Sequence, residues 1–260
     1  MPPVYLIMID GLRPDAIDPN RCPALVALLE RSAYTLSARS IMPSITLPCH
    51  QSIFHSVDPS KHGITANEQL HGTPLPGLIE ILYNAGKRCA FFYNWEPLRT
   101  VSQAGTLSLS YYRDNSYFLD GDESNIDDFL RLIARNNLDF GFIYLGNVDT
   151  AGHVYGWMSE GYLDQVARVD KALAALLRGL PVEAHVVLQA DHGGHDQEHG
   201  TDLPEDMTIP WMVNGPTVRR NHQLSSEVTL LDTAPTIARL LGVQPPAEWE
   251  GRCIDEIFAM

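Results

Sequence analysis

Cations are scarce in this chain: 18 Lys and Arg stand against 32 Asp and Glu, leaving a formal net charge of −14. A surface of that sign repels phosphate backbones, which excludes a broad nucleic-acid-binding face. Cysteine is scarce too. Cys22, Cys49, Cys89 and Cys253 are widely scattered with no CxxC pair, so neither a zinc ribbon nor a disulfide framework is expected. Long apolar runs are missing: the N-terminal stretch VYLIMI gives way to Asp10 after six residues and has no basic segment before it. That is the pattern of neither a signal peptide nor a membrane span, and with unpaired thiols a reducing cytoplasm is the expected location. No internal repeat or low-complexity tract interrupts the chain. Its 45% hydrophobic and 19% charged residues are an ordinary globular mixture.

Short apolar runs alternate with longer amphipathic ones. The patterning predicts strands at 4–9, 88–94, 139–145, 184–190 and 207–213, and helices at 23–32, 75–86, 125–136, 159–180 and 229–242. Such alternation implies a three-layer α/β/α fold around a central, mainly parallel sheet. Pro210 predicts that the strand at 207–213 is an edge or carries a bulge. No linker divides residues 1–260, which are read as one catalytic domain. The stretch 95–122 fits the pattern least and is expected to be a small subdomain or loop insertion near the site.

The segment DHGGHDQEHG (191–200) holds three of the chain's ten histidines, three acidic residues and three glycines, directly after a buried strand. Three predicted strands end at or near an aspartate: Asp10, Asp149 and Asp191. One aspartate after a strand commonly caps the next helix. Three together, with His153 four residues after Asp149 and His192 next to Asp191, point to metal ligation at the carboxyl ends of the strands, where open parallel sheets bind ligands. His195 and His199 offer a further imidazole. Imidazole with carboxylate suits zinc or manganese. His50, His55, His62, His71, His185 and His222 fall within turns, helices or strands and are not read as ligands. In IMPSITLPCHQSIFHSV (41–57) a helix is predicted from about Leu47, with Pro48 near its first turn and Thr46 at the N-cap. A hydroxyl there faces the positive end of the helix dipole, and a nearby cation would lower its pKa toward an alkoxide.

The motifs IDGLRPD, PSITLPCH, KHGITANEQ, NVDTAGH and ADHGGHDQEHGTDLPEDMTIPW, in this order, resemble the alkaline phosphatase superfamily, and within it the type I phosphodiesterase and nucleotide pyrophosphatase family. The resemblance implies an alkaline-phosphatase-like fold and two bound divalent ions, zinc with manganese as the other suitable metal. It implies Thr46 as the nucleophile, and Asp10, Asp191 and His192 with Thr46 as one metal site. Asp149 and His153 match two ligands of the second; its third is assigned to His199, with His195 as rival. Asn67 matches an asparagine that binds a non-bridging phosphoryl oxygen, alongside the backbone N–H that follows Thr46. The family's Pro-Asn-His is Pro48-Cys49-His50 here, and the chain leaves little room for pocket-building insertions. A sulfatase is disfavoured because Cys49 lacks the surrounding motif.

The implied activity is two-metal hydrolysis of a small phosphate ester, with no nucleic acid polymer and no membrane as partner. Phosphodiesters or nucleotide pyrophosphates are favoured because Asn67, and not an arginine, matches the phosphoryl-binding position; Arg99 and Arg113, in the unassigned stretch, would favour a monoester. A phosphomonoesterase or phosphonate hydrolase on the same site is the alternative, and a non-catalytic metal-binding protein the remote one. Asp202, Glu205 and Asp206 are read as solvated or loop-capping.

Overall fold

The run VYLIMI buries every side chain and forms β1 (Val4–Ile9), the strand around which the rest is arranged. In a computed structural model, which describes residues 1–259, it is followed by α1 (Pro23–Leu29), β2 (Ala33–Arg39), α2 (Thr46–His55), α3 (Pro59–His62), α4 (Leu78–Asn84), β3 (Cys89–Tyr93) and β4 (Leu109–Tyr112). Then come α5 (Gly121–Ile133), β5 (Phe140–Leu145), α6 (Asn147–Tyr155), α7 (Glu160–Gly179), β6 (His185–Gln189), α8 (Pro204–Met207), β7 (Thr208–Asn214), β8 (His222–Gln223) and α9 (Thr233–Leu240). The strands make one sheet in the order β4-β3-β5-β1-β6-β7-β2-β8. It is parallel from β4 through β6, while β7 runs antiparallel to both its neighbours.

Side chains alternate across a strand, and the register shows which helix covers which face. Phe91 of β3 lies beside Phe142 of β5, and both meet Phe54 of α2 with ring centroids 5.1 Å apart. Phe92 points the other way, onto Phe129 of α5, which also meets Tyr5. Thus α2, in contact with α4 and α9, covers one face, and α5, in contact with α7, covers the other. Three layers result.

Pro210 meets one of its two expected accommodations, while the helix at 229–242 and the place of Thr46 need correction. Pro210 lies in an interior strand, β7, between β6 and β2, not at an edge. Its missing N–H is accommodated by the second of the two expected devices: β2 bulges opposite it, pairing Thr35 with Trp211 and Ala38 with Ile209. The helix at 229–242 begins as a 3-10 turn (Leu230–Asp232), and Pro235 falls in the first turn of α9, where no helical N–H is lost. Thr46 is the first residue of α2; the N-cap is Ile45. The stretch 95–122 supplies a 3-10 helix (Glu96–Val101) and then β4, an edge strand of the same sheet. Among the described residues no helix is long and apolar enough to cross a membrane.

Phe142 holds α2 to the sheet. Phe142→Ala is expected to lower unfolding free energy by about 3–5 kcal/mol, read as a reduced guanidinium midpoint with an unchanged slope.

Candidate active site

The order β5-β1-β6 brings three neighbouring parallel strands to a common C-terminal edge. Asp10 follows β1 directly and Asp191 follows β6 by two residues. Asp149 sits past the end of β5, in the first turn of α6, which puts His153 one turn later on the same helix. Gly11 lets β1 reach α6: its φ is +68°, and a Cβ there would lie 3.0 Å from the Asp149 Cα. Trp157 Nε1 and Tyr162 Oη both donate to the Gly11 carbonyl at 2.9 Å, which fixes the turn.

Asp10, Asp191 and His192 form one fully buried cluster. His192 Nδ1 donates to the Gly193 carbonyl at 2.8 Å, so in the neutral ring Nε2 carries the lone pair. That nitrogen faces Asp10 Oδ1 at 3.2 Å, Asp191 Oδ2 at 3.5 Å and Thr46 Oγ1 at 3.2 Å. Asp191 Oδ1 accepts from the backbone N–H of Gly11 and of His192, and Asp10 Oδ2 accepts from Tyr144 Oη. Asp149, His153 and His199 form a second cluster. Asp149 Oδ1 lies 3.5 Å from His153 Nε2 and 3.6 Å from His199 Nε2. Both rings again donate Nδ1–H to a carbonyl, His153 to Gln197 at 2.8 Å and His199 to Ser44 at 2.9 Å. The clusters touch through the His192 and His199 rings, stacked with centroids 3.9 Å apart.

His195 joins neither cluster. Its Nδ1 lies 2.7 Å from Asp206 Oδ1, and Asp206 Oδ2 accepts from the N–H and hydroxyl of Thr201. Asp206, read as solvated or loop-capping, is fully buried and meets the second of those readings by tying the histidine loop together. Asn67 lines the cavity with Thr46, but its Oδ1 accepts the Leu47 N–H at 2.9 Å. The backbone donor expected to hold a phosphoryl oxygen is therefore already engaged; its effect is to leave the Asn67 NH₂ as the free donor. Cys49 faces Ser40 beneath Asp191, away from the cavity. His50 donates to the Thr46 carbonyl at 2.8 Å, and burial pushes its pKa down to about 3.

The two clusters fit divalent cations. Asp10 Oδ1, Asp149 Oδ1 and Asp191 Oδ2 are buried without a hydrogen-bond partner, and each faces an imidazole lone pair. Lone pairs and carboxylates do not share a buried space unless a positive charge lies between them. Burial holds the carboxyls of Asp10, Asp149 and Asp191 above their usual range, Asp191 up to about 7, with neighbouring carboxylates adding to it for Asp10 and Asp191. Burial lowers His199 to about 2, so this imidazole is neutral, as a ligand must be.

The sequence reading missed Tyr144, Trp95, Ser116 and Tyr117. Tyr144 hides in the strand FGFIYL with no polar neighbour to mark it, and the other three come from the irregular stretch 95–122 and line the cavity. In metal-stripped protein, the stability associated with the raised carboxyls is complete below about pH 4 and lost as pH rises through the folded pKa, about 7 for Asp191. Chelator-treated protein is expected to melt at a lower temperature at pH 8 than at pH 6, and added zinc to remove most of that difference. Equal melting temperatures at the two pH values would count against uncompensated charge.

Comparison with known proteins agrees with the motifs. The sequence profile described as "Type I phosphodiesterase / nucleotide pyrophosphatase" matches residues 4–73 and 77–219. Ectonucleotide pyrophosphatase/phosphodiesterase family member 1 of Mus musculus is 23% identical over 223 residues, covering 74% of this chain and 24% of the relative. A phosphopentomutase of Herpetosiphon aurantiacus is 31% identical over 173 residues, covering 66% of this chain and 41% of that protein. The chain spans about a quarter of the mammalian pyrophosphatases it matches. Among solved structures, an inactive variant of murine ectonucleotide pyrophosphatase/phosphodiesterase 5 in complex with AMP superposes with a TM-score of 0.85 over 100% of both chains, at 13% identity. The phosphonate monoester hydrolase of Agrobacterium radiobacter gives 0.78 over 98% of this chain and 76% of that one, at 12% identity. The structural likenesses establish an alkaline-phosphatase-like fold, and with most of its length matched by the profile this chain belongs to the type I phosphodiesterase/nucleotide pyrophosphatase family.

Proposed function

We propose that the protein hydrolyses phosphodiesters or nucleotide pyrophosphates, with Thr46 as nucleophile and two divalent ions, zinc or manganese, held by the two clusters. The observation that carries this reading is the position of Thr46 Oγ1. It lies 3.2 Å from His192 Nε2, at the first residue of α2, in a cavity of about 180 Å³ that Asp149, His153, His199 and Asn67 also line. Bound ions would lower the pKa of the threonine hydroxyl and neutralise charge on the attacking and leaving oxygens. Thr46 Oγ1 then attacks phosphorus, a Thr46–phosphate bond forms and the bond to the leaving oxygen breaks. Water then cleaves the esterified phosphothreonine, releasing a phosphate monoester and restoring the hydroxyl. The N-terminus of α2 favours the negative charge, and the Asn67 amide, fixed through Leu47 N–H, donates to a phosphoryl oxygen.

The charge of the cavity favours diesters. A dianionic monoester is usually met by a cationic side chain, yet no Lys or Arg is among the residues lining this cavity. Arg99 is paired with Glu96 at 2.7 Å and Arg113 with Asp128 at 3.2 Å. Trp95 and Tyr117 supply an aromatic wall instead. The AMP held by the murine relative makes nucleotide esters the first natural class to assay.

On protein with counted zinc and manganese, bis-p-nitrophenyl phosphate is expected to turn over faster than p-nitrophenyl phosphate; the opposite preference would move the substrate class to monoesters. No turnover of either, with both ions bound, would favour a non-catalytic metal-binding protein. Thr46→Ala should abolish turnover at unchanged metal content, and activity retained in that variant would mean another nucleophile. Asn67→Ala should lower kcat by a factor of about 10²–10³, the usual loss for one oxyanion donor.

A further inference from the structure

One buried carboxylate with no part in either cluster sits beneath the site. Asp122, at the start of α5, is 1% exposed. Its Oδ1 accepts from Gly146 N–H at 2.9 Å and Asn94 Nδ2 at 3.1 Å, and its Oδ2 from Asn147 N–H at 3.0 Å. Gly146 and Asn147 are the N-cap and first residue of α6, the helix that carries Asp149 and His153, and Gly146 has no side chain with which to cap it. Asp122 supplies that cap from a distant element, with both carboxyl oxygens accepting at the positive end of the helix. The exchange is reciprocal: Asp122 N–H donates to Asn147 Oδ1 at 2.8 Å.

The same knot reaches the cavity wall. Asn147 Nδ2 and Thr150 Oγ1, on either side of Asp149 in sequence, both donate to the Ser116 carbonyl at 2.8 Å. Ser116 and its neighbour Tyr117 line the cavity. The loop closes tightly on α5, since a Cβ at Gly121 would lie 2.2 Å from the Asn115 carbonyl oxygen. One network therefore fixes the helix bearing Asp149 and His153, and the loop bearing the wall.

Resting on the two-metal reading of the site, we propose that Asp122 is a positioning residue: its carboxylate, through α6 and Ser116, places the Asp149–His153 pair and the Ser116–Tyr117 wall as a single unit. Asp122→Asn keeps the side-chain volume; with its oxygen at the Oδ1 position, its NH₂ would oppose the Asn147 N–H. The test is calorimetric titration of zinc into chelator-stripped protein, followed by steady-state kinetics on bis-p-nitrophenyl phosphate. Wild type should bind two ions per chain. Asp122→Asn should bind one with unchanged affinity and the other about 10–100-fold more weakly, as expected on losing an outer support of a metal ligand. At saturating zinc its kcat should recover while its KM stays raised.

Asp170→Asn is the control. Asp170 is an equally buried carboxylate that accepts from Ala24 and Leu25 N–H at the start of α1 and lines no part of the cavity. It should lower the melting temperature and leave zinc binding and KM as in wild type. If Asp122→Asn does not fold, Asn94→Ala, which removes one of the three donors to Asp122, carries the test with a smaller shift in the same direction. Two ions bound with wild-type affinity and an unchanged KM, in whichever variant folds, would overturn the positioning role while leaving the two-metal site intact. A wild-type chain that binds fewer than two ions would overturn the reading of the site itself, and the role of Asp122 with it.

Discussion

Burial of three carboxylates at the ends of adjacent parallel strands is the constraint on which this structure depends. Asp10, Asp149 and Asp191 come from segments following β1, β5 and β6, and no Lys or Arg is among the residues lining the cavity beside them. Isolated buried charges are strongly unfavourable, and such groups are neutralised by protons, ion pairs or metals. Each imidazole here turns Nδ1 to a carbonyl and Nε2 to the carboxylates. A divalent ion at each cluster would satisfy the carboxylates and the imidazole lone pairs together.

The supports around the clusters follow from the same requirement. A ligand ring must be aimed, and main-chain carbonyls of Gly193, Gln197 and Ser44 aim all three. Carbonyls do not titrate, so this orientation is insensitive to pH. Holding those carbonyls still requires an ordered histidine loop, and the Asp206 carboxylate provides it by gathering His195 and Thr201. Tyr144 does the corresponding work for Asp10, and Trp157 with Tyr162 for the turn at Gly11. Asp122 extends the pattern one layer outward, where it reaches the helix carrying two ligands and the loop that walls the cavity.

The stretch between β3 and α5 gives the site its individual character. In a short chain it is the main source of cavity lining outside the ligand motifs, contributing Trp95, Ser116 and Tyr117. Its arginines are held by Glu96 and Asp128, leaving a polar, aromatic and uncharged wall. The position of that wall is set by hydrogen bonds from α6 to the Ser116 carbonyl.

Much of the architecture, and the residues that gather in the two clusters, could be read from the chain alone. Fully buried strands such as VYLIMI and HVVLQ carry uninterrupted apolar centres, and an aspartate just past the end of one is conspicuous against them. Asp149 and His153 sit four apart on a helix, and Asp191, His192 and His199 share one loop, so local spacing already held most of each cluster. Spacing could not choose between His195 and His199, both of which stand in the same glycine-rich loop. The fold decides, because Asp206 arrives beside His195 only when α8 packs under the loop. Nor could it find Tyr144 or Asp122, whose partners lie 134 residues and 24–28 residues away in sequence. The engagement of the Leu47 N–H by Asn67 was equally invisible. Sequence determined which side chains are chemically able to bind metal and phosphate, because ligand type and local period are written in it. Only the tertiary structure decided which of them share a space and what holds them there, because hydrogen bonds between distant segments depend on how the sheet orders its strands.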